Sequence, residues 1–157
     1  MSIHIEKRLN YFKETLVGLI IGDALGLALE FCKPELVTPI KDIVGGGPFS
    51  LKPGQWTDDT SMALCLAESL IKKNNFWPTD QLERYLKWYK EGSFSSTGTC
   101  FDKGNTTKEA LDNFEKTKNS FCGSIDLEKS GNGSIMRLAP IPMFFSQYLK
   151  KVIPIIS

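Results

Sequence analysis

The chain has 157 residues, 41% of them hydrophobic, which is ample for one globular domain with a core of its own. Nineteen Lys and Arg against 18 Asp and Glu leave a formal net charge of +1, which argues against a dedicated nucleic-acid binder needing a basic surplus to displace counterions. His4 is the single histidine, so a Ser-His-Asp triad, a Cys-His dyad and a histidine-based metal site are all disfavoured, each needing a placed imidazole.

In chain order, Leu9, Phe12, Leu16, Leu19 and Ile20 keep the spacing of a first helix. Residues 16–21 are apolar, but the run is too short to span a bilayer, Asp23 interrupts it, and no convincing cleavage site follows. No membrane association and a cytoplasmic location are therefore expected. Cys32, Cys65, Cys100 and Cys122 are widely spaced, form no CxxC pair, and are expected as reduced thiols. The spacing carries the first helix through Gly18, Gly22 and Gly26 to Glu30, each four residues after the last and so on one face. Glycine inside a helix costs about 1 kcal/mol against alanine, so the stripe needs a reason. Close approach of another helix is one; a cleft edged by Asp23 and Glu30 is compatible with it.

Trp56-Thr57-Asp58-Asp59-Thr60 precedes a second helix whose Met62, Leu66 and Leu70 fall at i, i+4 and i+8. Asp58 and Asp59 thus lie in or just before a first turn, where free N–H groups and the helix dipole favour negative charge. Capping explains one such oxygen. Two adjacent carboxylates repel unless a cation lies between them, and hard oxygen donors suit Mg²⁺ or Mn²⁺.

Thr79 or Asp80 opens a third helix carrying Leu82, Tyr85, Leu86 and Tyr89. Thr106 and Glu109 read as the capping box of a fourth, with Ala110, Leu111 and Phe114 on its apolar face. Asp102 lies in the preceding Gly/Ser-rich loop and has no capping task left to it. Ser130-Gly131-Asn132-Gly133-Ser134, leading into Ile135-Met136-Arg137, is either an ordinary turn or an anion cradle at a helix start, and lacks the Gly-Lys-Ser/Thr ending of a P-loop. Met143, Phe144, Phe145, Tyr148, Leu149, Val152 and Ile153 give a last, strongly apolar helix running to Ile155-Ile156-Ser157. Such an end either packs on its own core or wants a cover. No stretch alternates as a half-buried strand does, so residues 1–157 are expected to form a single all-α unit.

Taken together and in order, Gly22-Asp23-Ala24-Leu25-Gly26 with Glu30, Trp56-Thr57-Asp58-Asp59-Thr60, Phe101-Asp102-Lys103-Gly104-Asn105 and Gly131-Asn132-Gly133-Ser134 with Met136-Arg137 resemble the ADP-ribosylglycohydrolase family, most of all its bacterial branch. The resemblance implies an all-α orthogonal bundle and a cleft holding two Mg²⁺ or Mn²⁺ ions. It also implies cleavage of ADP-ribose from a modified protein or a small ADP-ribose conjugate. By position, Thr57, Asp58 and Asp59 match metal ligands, and Glu30 the acid that assists water attack or leaving-group departure, with Asp58 and Asp59 beside it in catalysis. Asp23, Asp102 and Gly104 match substrate positions around the ribose, while Gly131, Asn132, Gly133 and Ser134 match the loop for the diphosphate and adenosine end. The family's downstream Asp-x-Asp-Thr segment has no counterpart, since no aspartate follows Asp126. The expectation is therefore an N-terminal half holding at most one ion alone, completed by a C-terminal half or self-associating. A catalytically inactive ADP-ribose-binding or structural member is the alternative.

Overall fold

Helices and loops alone make up the described part of the computed structural model, which covers residues 3–152, with side chains described for residues 6–146. The helices are α1 (Ile3–Gly26), α2 (Asp58–Lys73), α3 (Pro78–Glu91), α4 (Asn105–Thr117) and α5 (Pro140–Val152), with short 3-10 turns at Leu27–Leu29, Pro34–Leu36, Leu127–Lys129 and Asn132–Ser134. No strand occurs among the described residues; one antiparallel bridge between Gly46 and Leu51 pins a loop. The all-α expectation holds. No helix among the described residues is long and apolar enough to cross a membrane, and all four cysteines are free.

α2 is the centre, packed against α1, α3 and α5, while α4 packs on α3. Met62, Cys65, Leu66 and Leu70 bury one face of α2, and Tyr85 and Trp88 from α3 and Leu111 from α4 close over it, while Phe114 of α4 is buried as well. Each large side chain so buried contributes about 1.5–3 kcal/mol. From α5, Phe144 and Phe145 pack on the same core. The apolar end expected from Tyr148 to Ser157 lies outside the residues whose side chains are described.

Several local expectations are corrected. α1 stops at Gly26, and Glu30 follows a 3-10 turn with extended backbone (φ −59°, ψ 137°), so it leaves the glycine face. That face is open: a Cβ added at Gly18, Gly22 or Gly26 meets nothing within 4 Å. α3 begins at Pro78, which suits a first helical position because its missing N–H would be unpaired there anyway. The capping box does not form, since Gly104 stands at the N-cap of α4 and Thr106 donates to the Lys129 carbonyl instead. No α-helix starts at residues 130–134; the chain makes one 3-10 turn and α5 waits until Pro140.

Space dictates glycine most strictly where the backbone approaches closest. At Gly92 (φ 73°), which ends α3, a Cβ would lie 2.2 Å from the Gly98 carbonyl oxygen; at Gly47 (φ 64°) it would lie 2.2 Å from that of Leu27.

α2 and α3 are also joined by charge. Asp80, buried at the start of α3, takes hydrogen bonds from Arg84 Nε at 2.7 Å and Lys73 Nζ at 3.3 Å, and Arg84 reaches on to Glu68 of α2. Burial alone would raise the Asp80 carboxyl, but the donors from Arg84 and Lys73 outweigh it and hold it below the usual aspartate range. A depressed carboxylate stabilises the fold above its unfolded-state value near pH 3.9, and that contribution fades as pH falls through the lower folded-state value. Urea unfolding of Asp80→Asn should therefore show a deficit of about 2 kcal/mol at pH 7 that shrinks below about pH 4. A deficit independent of pH would locate the role of Asp80 in shape rather than charge.

Candidate functional site

The first turn of α2 is closed from another helix. Thr57, its N-cap, makes no capping bond with its own side chain. Asp23, near the end of α1, supplies the acceptors instead: Oδ1 takes the Thr57 N–H at 3.0 Å and hydroxyl at 2.8 Å, and Oδ2 takes the Thr60 N–H at 3.0 Å and hydroxyl at 2.6 Å. Four donors nearly saturate one carboxylate. Asp23, expected at the substrate, thus lines the site while its oxygens hold α2 in place.

Loops lock around the same point. Trp56 Nε1 donates to the Phe94 carbonyl at 3.1 Å, Ser96 Oγ to the Trp56 carbonyl at 2.7 Å, and Gln55 Nε2 to the Ser96 carbonyl at 3.0 Å. Phe49 and Phe101 pack with ring centroids 5.3 Å apart and planes tilted by 56°, and the next residue, Asp102, adopts φ 50°, a left-handed backbone that Asp tolerates better than most residues.

Two cavities flank this turn. One, of about 280 Å³, is lined by Gly22, Asp23, Gly26, Leu27, Glu30, Thr57 and Asp59. The other, of about 460 Å³, runs from Asp58 to Gly131, Asn132, Gly133 and Ser134, past Gly104 and the first turn of α4. Successive residues of a helix point about 100° apart, which is how Asp58 and Asp59 serve different cavities. Asp102 lines neither, but its charge acts on Glu30, Asp58 and Asp59.

The acidic groups are short of positive charge. Burial, then the charges of Asp102 and Asp59, pushes Asp58 up to about 8. Burial, then Asp102, pushes Glu30 up to about 7. Burial followed by Asp23 raises Asp59, and burial raises Asp102 against a hydrogen bond from Glu30. Glu30 Oε2 and Asp102 Oδ2 are buried without a hydrogen-bond partner. Orphaned oxygens and mutual repulsion fit a hard divalent cation in kind. Among the described residues, however, no three His, Cys, Asp or Glu side chains converge as a ready ligand set.

In the larger cavity the dipole expected from a helix start at residues 130–134 comes instead from α4, whose Asn105, Thr106 and Thr107 line it. Gly133 is held where a Cβ would sit 3.2 Å from Thr107 Oγ1. Sequence reasoning left Arg137, Tyr85 and Met62 out of the site, though they line this cavity. Tyr85 and Met62 carried only a core signal, and Arg137 stood within a quoted motif without a task.

The sequence model of the ADP-ribosylglycohydrolase family matches residues 5–154. The chain is a member of that family. It is 49% identical over 139 residues to an ADP-ribosylarginine hydrolase, Tri1, of Serratia proteamaculans, covering 88% of this chain and 38% of that one. It is 35% identical over 130 residues to the ADP-ribosyl-[dinitrogen reductase] glycohydrolase of Rhodospirillum rubrum, covering 79% and 41%. A solved structure described as an ADP-ribosylglycohydrolase-related protein complex superposes with a TM-score of 0.73 at 40% identity, over 87% of this chain and 43% of that one. The chain thus spans about two fifths of the length of these relatives.

Within this ADP-ribosylglycohydrolase fold the Asp23 cap is testable. Asp23→Ala should lower stability by about 1–2 kcal/mol, as loss of a good cap does, and should speed hydrogen exchange at the Thr57 and Thr60 amides. Unchanged exchange at those two amides would mean that α2 is closed by something else.

Proposed function

We propose that this chain forms the ADP-ribose-facing part of a metal-dependent hydrolase that releases ADP-ribose from modified arginine. One observation carries the reading: the first turn of α2 opens on an acidic pocket through Asp59 and on the glycine-lined cavity through Asp58. A ligand with a hydroxyl-rich ribose at one end and a diphosphate at the other matches that polarity. Arginine is favoured as the modified residue by the 49% identity to the Serratia ADP-ribosylarginine hydrolase.

Thr57, Asp58 and Asp59 would hold the divalent cation, and the Thr57 hydroxyl, donating to Asp23, keeps its lone pairs for that purpose. When bound, such an ion polarises a ribose oxygen and lowers the pKa of a coordinated water. Glu30 is positioned to take the proton of the attacking water as the bond from the anomeric carbon to the guanidine nitrogen breaks. It then returns that proton to the departing guanidine. Asp102 faces Glu30 and orients it, and the loop at residues 131–134 bears the diphosphate.

Binding without efficient turnover by this chain alone is favoured by the absence, among the described residues, of a converging set of three ligands. Further ligands would come from a completing segment equivalent to the remaining three fifths of the relatives. With Mn²⁺ or Mg²⁺ supplied, the isolated chain should release ADP-ribose from ADP-ribosylarginine at least about a hundredfold more slowly than the chain complemented by the rest of the Serratia relative, since the deficit is several kcal/mol of transition-state stabilisation. Glu30→Gln should abolish the complemented activity while ADP-ribose binding persists. Full metal-dependent turnover by the isolated chain would refute the division of labour.

A further inference from the structure

The larger cavity contains two cations in different situations. Lys129 Nζ is spent on Glu109 at 2.6 Å. The Arg137 guanidinium, half-buried in the cavity wall, has contacts of another kind among the described residues: the Tyr85 ring, 4.8 Å from Cζ to the centroid, and Met62 Sδ, 3.5 Å from Nη1. Neither supplies a formal negative charge. A sulfur accepts hydrogen bonds weakly, so most of the five N–H donors of Arg137 have no strong acceptor. The ring and the sulfur nonetheless fix the plane of the guanidinium, and Nη1 lies 4.0 Å from where a Cβ of Gly133 would be. Tyr85 is 4% exposed and Met62 1%, so the platform under the guanidinium is rigid core.

We infer that Arg137 is a specificity-determining residue that sets the preference of this cavity for a diphosphate ligand over its uncharged nucleoside. The proposal rests on the reading of the cavity as the ADP-ribose site. Of the two cations on the cavity, only Arg137 has no carboxylate partner among the described residues, so an anionic group entering the cavity is drawn to it. A planar guanidinium already held by stacking loses little freedom on pairing and can meet two phosphate oxygens at once, which a lysine cannot do. The α4 N-terminus, on the same cavity, adds partial positive charge in the same place.

The test compares ADP-ribose with adenosine by calorimetry on the full chain, for wild type, Arg137→Gln and Arg137→Lys. Arg137→Gln should weaken ADP-ribose at least about tenfold, leave adenosine unchanged and flatten the dependence of ADP-ribose affinity on NaCl. Arg137→Lys should recover only part of the loss. Equal ADP-ribose affinity in wild type and Arg137→Gln overturns the inference and leaves the site assignment standing. A parallel loss of adenosine and ADP-ribose overturns it too, because Arg137 would then be holding the cavity together. Adenosine and ADP-ribose both failing to bind the wild type would overturn the site assignment itself.

Discussion

Everything at the site depends on how the N-terminus of α2 is satisfied. A helix start leaves N–H groups without partners, and here they are answered from 34 and 37 residues away by the one carboxylate of Asp23. That choice fixes the geometry of three things together: the end of α1, the entry of α2, and the direction in which Asp58 and Asp59 leave the first turn. It also frees Thr57 from capping with its own oxygen. A local cap would have left the two helices free to slide against each other; a cap in trans ties the chemistry to the packing.

The same economy creates a tension. Asp23, Glu30, Asp58, Asp59 and Asp102 bring acid side chains together at a place that buries them in part, and burial raises every shifted member of the group. Without a counter-charge, such a cluster lowers its energy by holding protons. A cation of small radius relieves the repulsion more completely than protons do, because it attracts several oxygens at once. The folded state therefore tolerates the acids through capping hydrogen bonds and packing elsewhere, chiefly the Met62, Leu66, Leu70 and Trp88 core.

Much of this was legible in the sequence. Period-3.6 apolar patterns placed the helices, because α2, α3 and α4 each bury one face and expose the other. The acid-rich turn and the glycine-rich loop were visible as motifs, and the structure puts them on one cavity. What could not be read was anything set by distance in space. Periodicity continued α1 through Glu30, whereas the chain leaves the helix at Gly26 into a 3-10 turn. The Thr106 capping box failed because the Lys129 carbonyl and ammonium, 23 and 20 residues away, took Thr106 and Glu109 respectively. Asp23 as a cap in trans leaves no sequence signal at all, since its partners lie in another helix. Arg137 was hidden for the same reason: a cation among core residues is distinguished only by what its neighbours fail to offer it.

Gly47 extends the site in an unexpected direction. It carries no chemistry and sits in a loop, yet its α-carbon presses so near the Leu27 carbonyl that any side chain would drive the loop away from the turn that delivers Glu30. Tolerance to change along this loop is thus set by a clearance and not by polarity or exposure. A survey of substitutions would find Gly47 as unforgiving as an acid in the pocket, with lesions that look catalytic and have a purely steric origin.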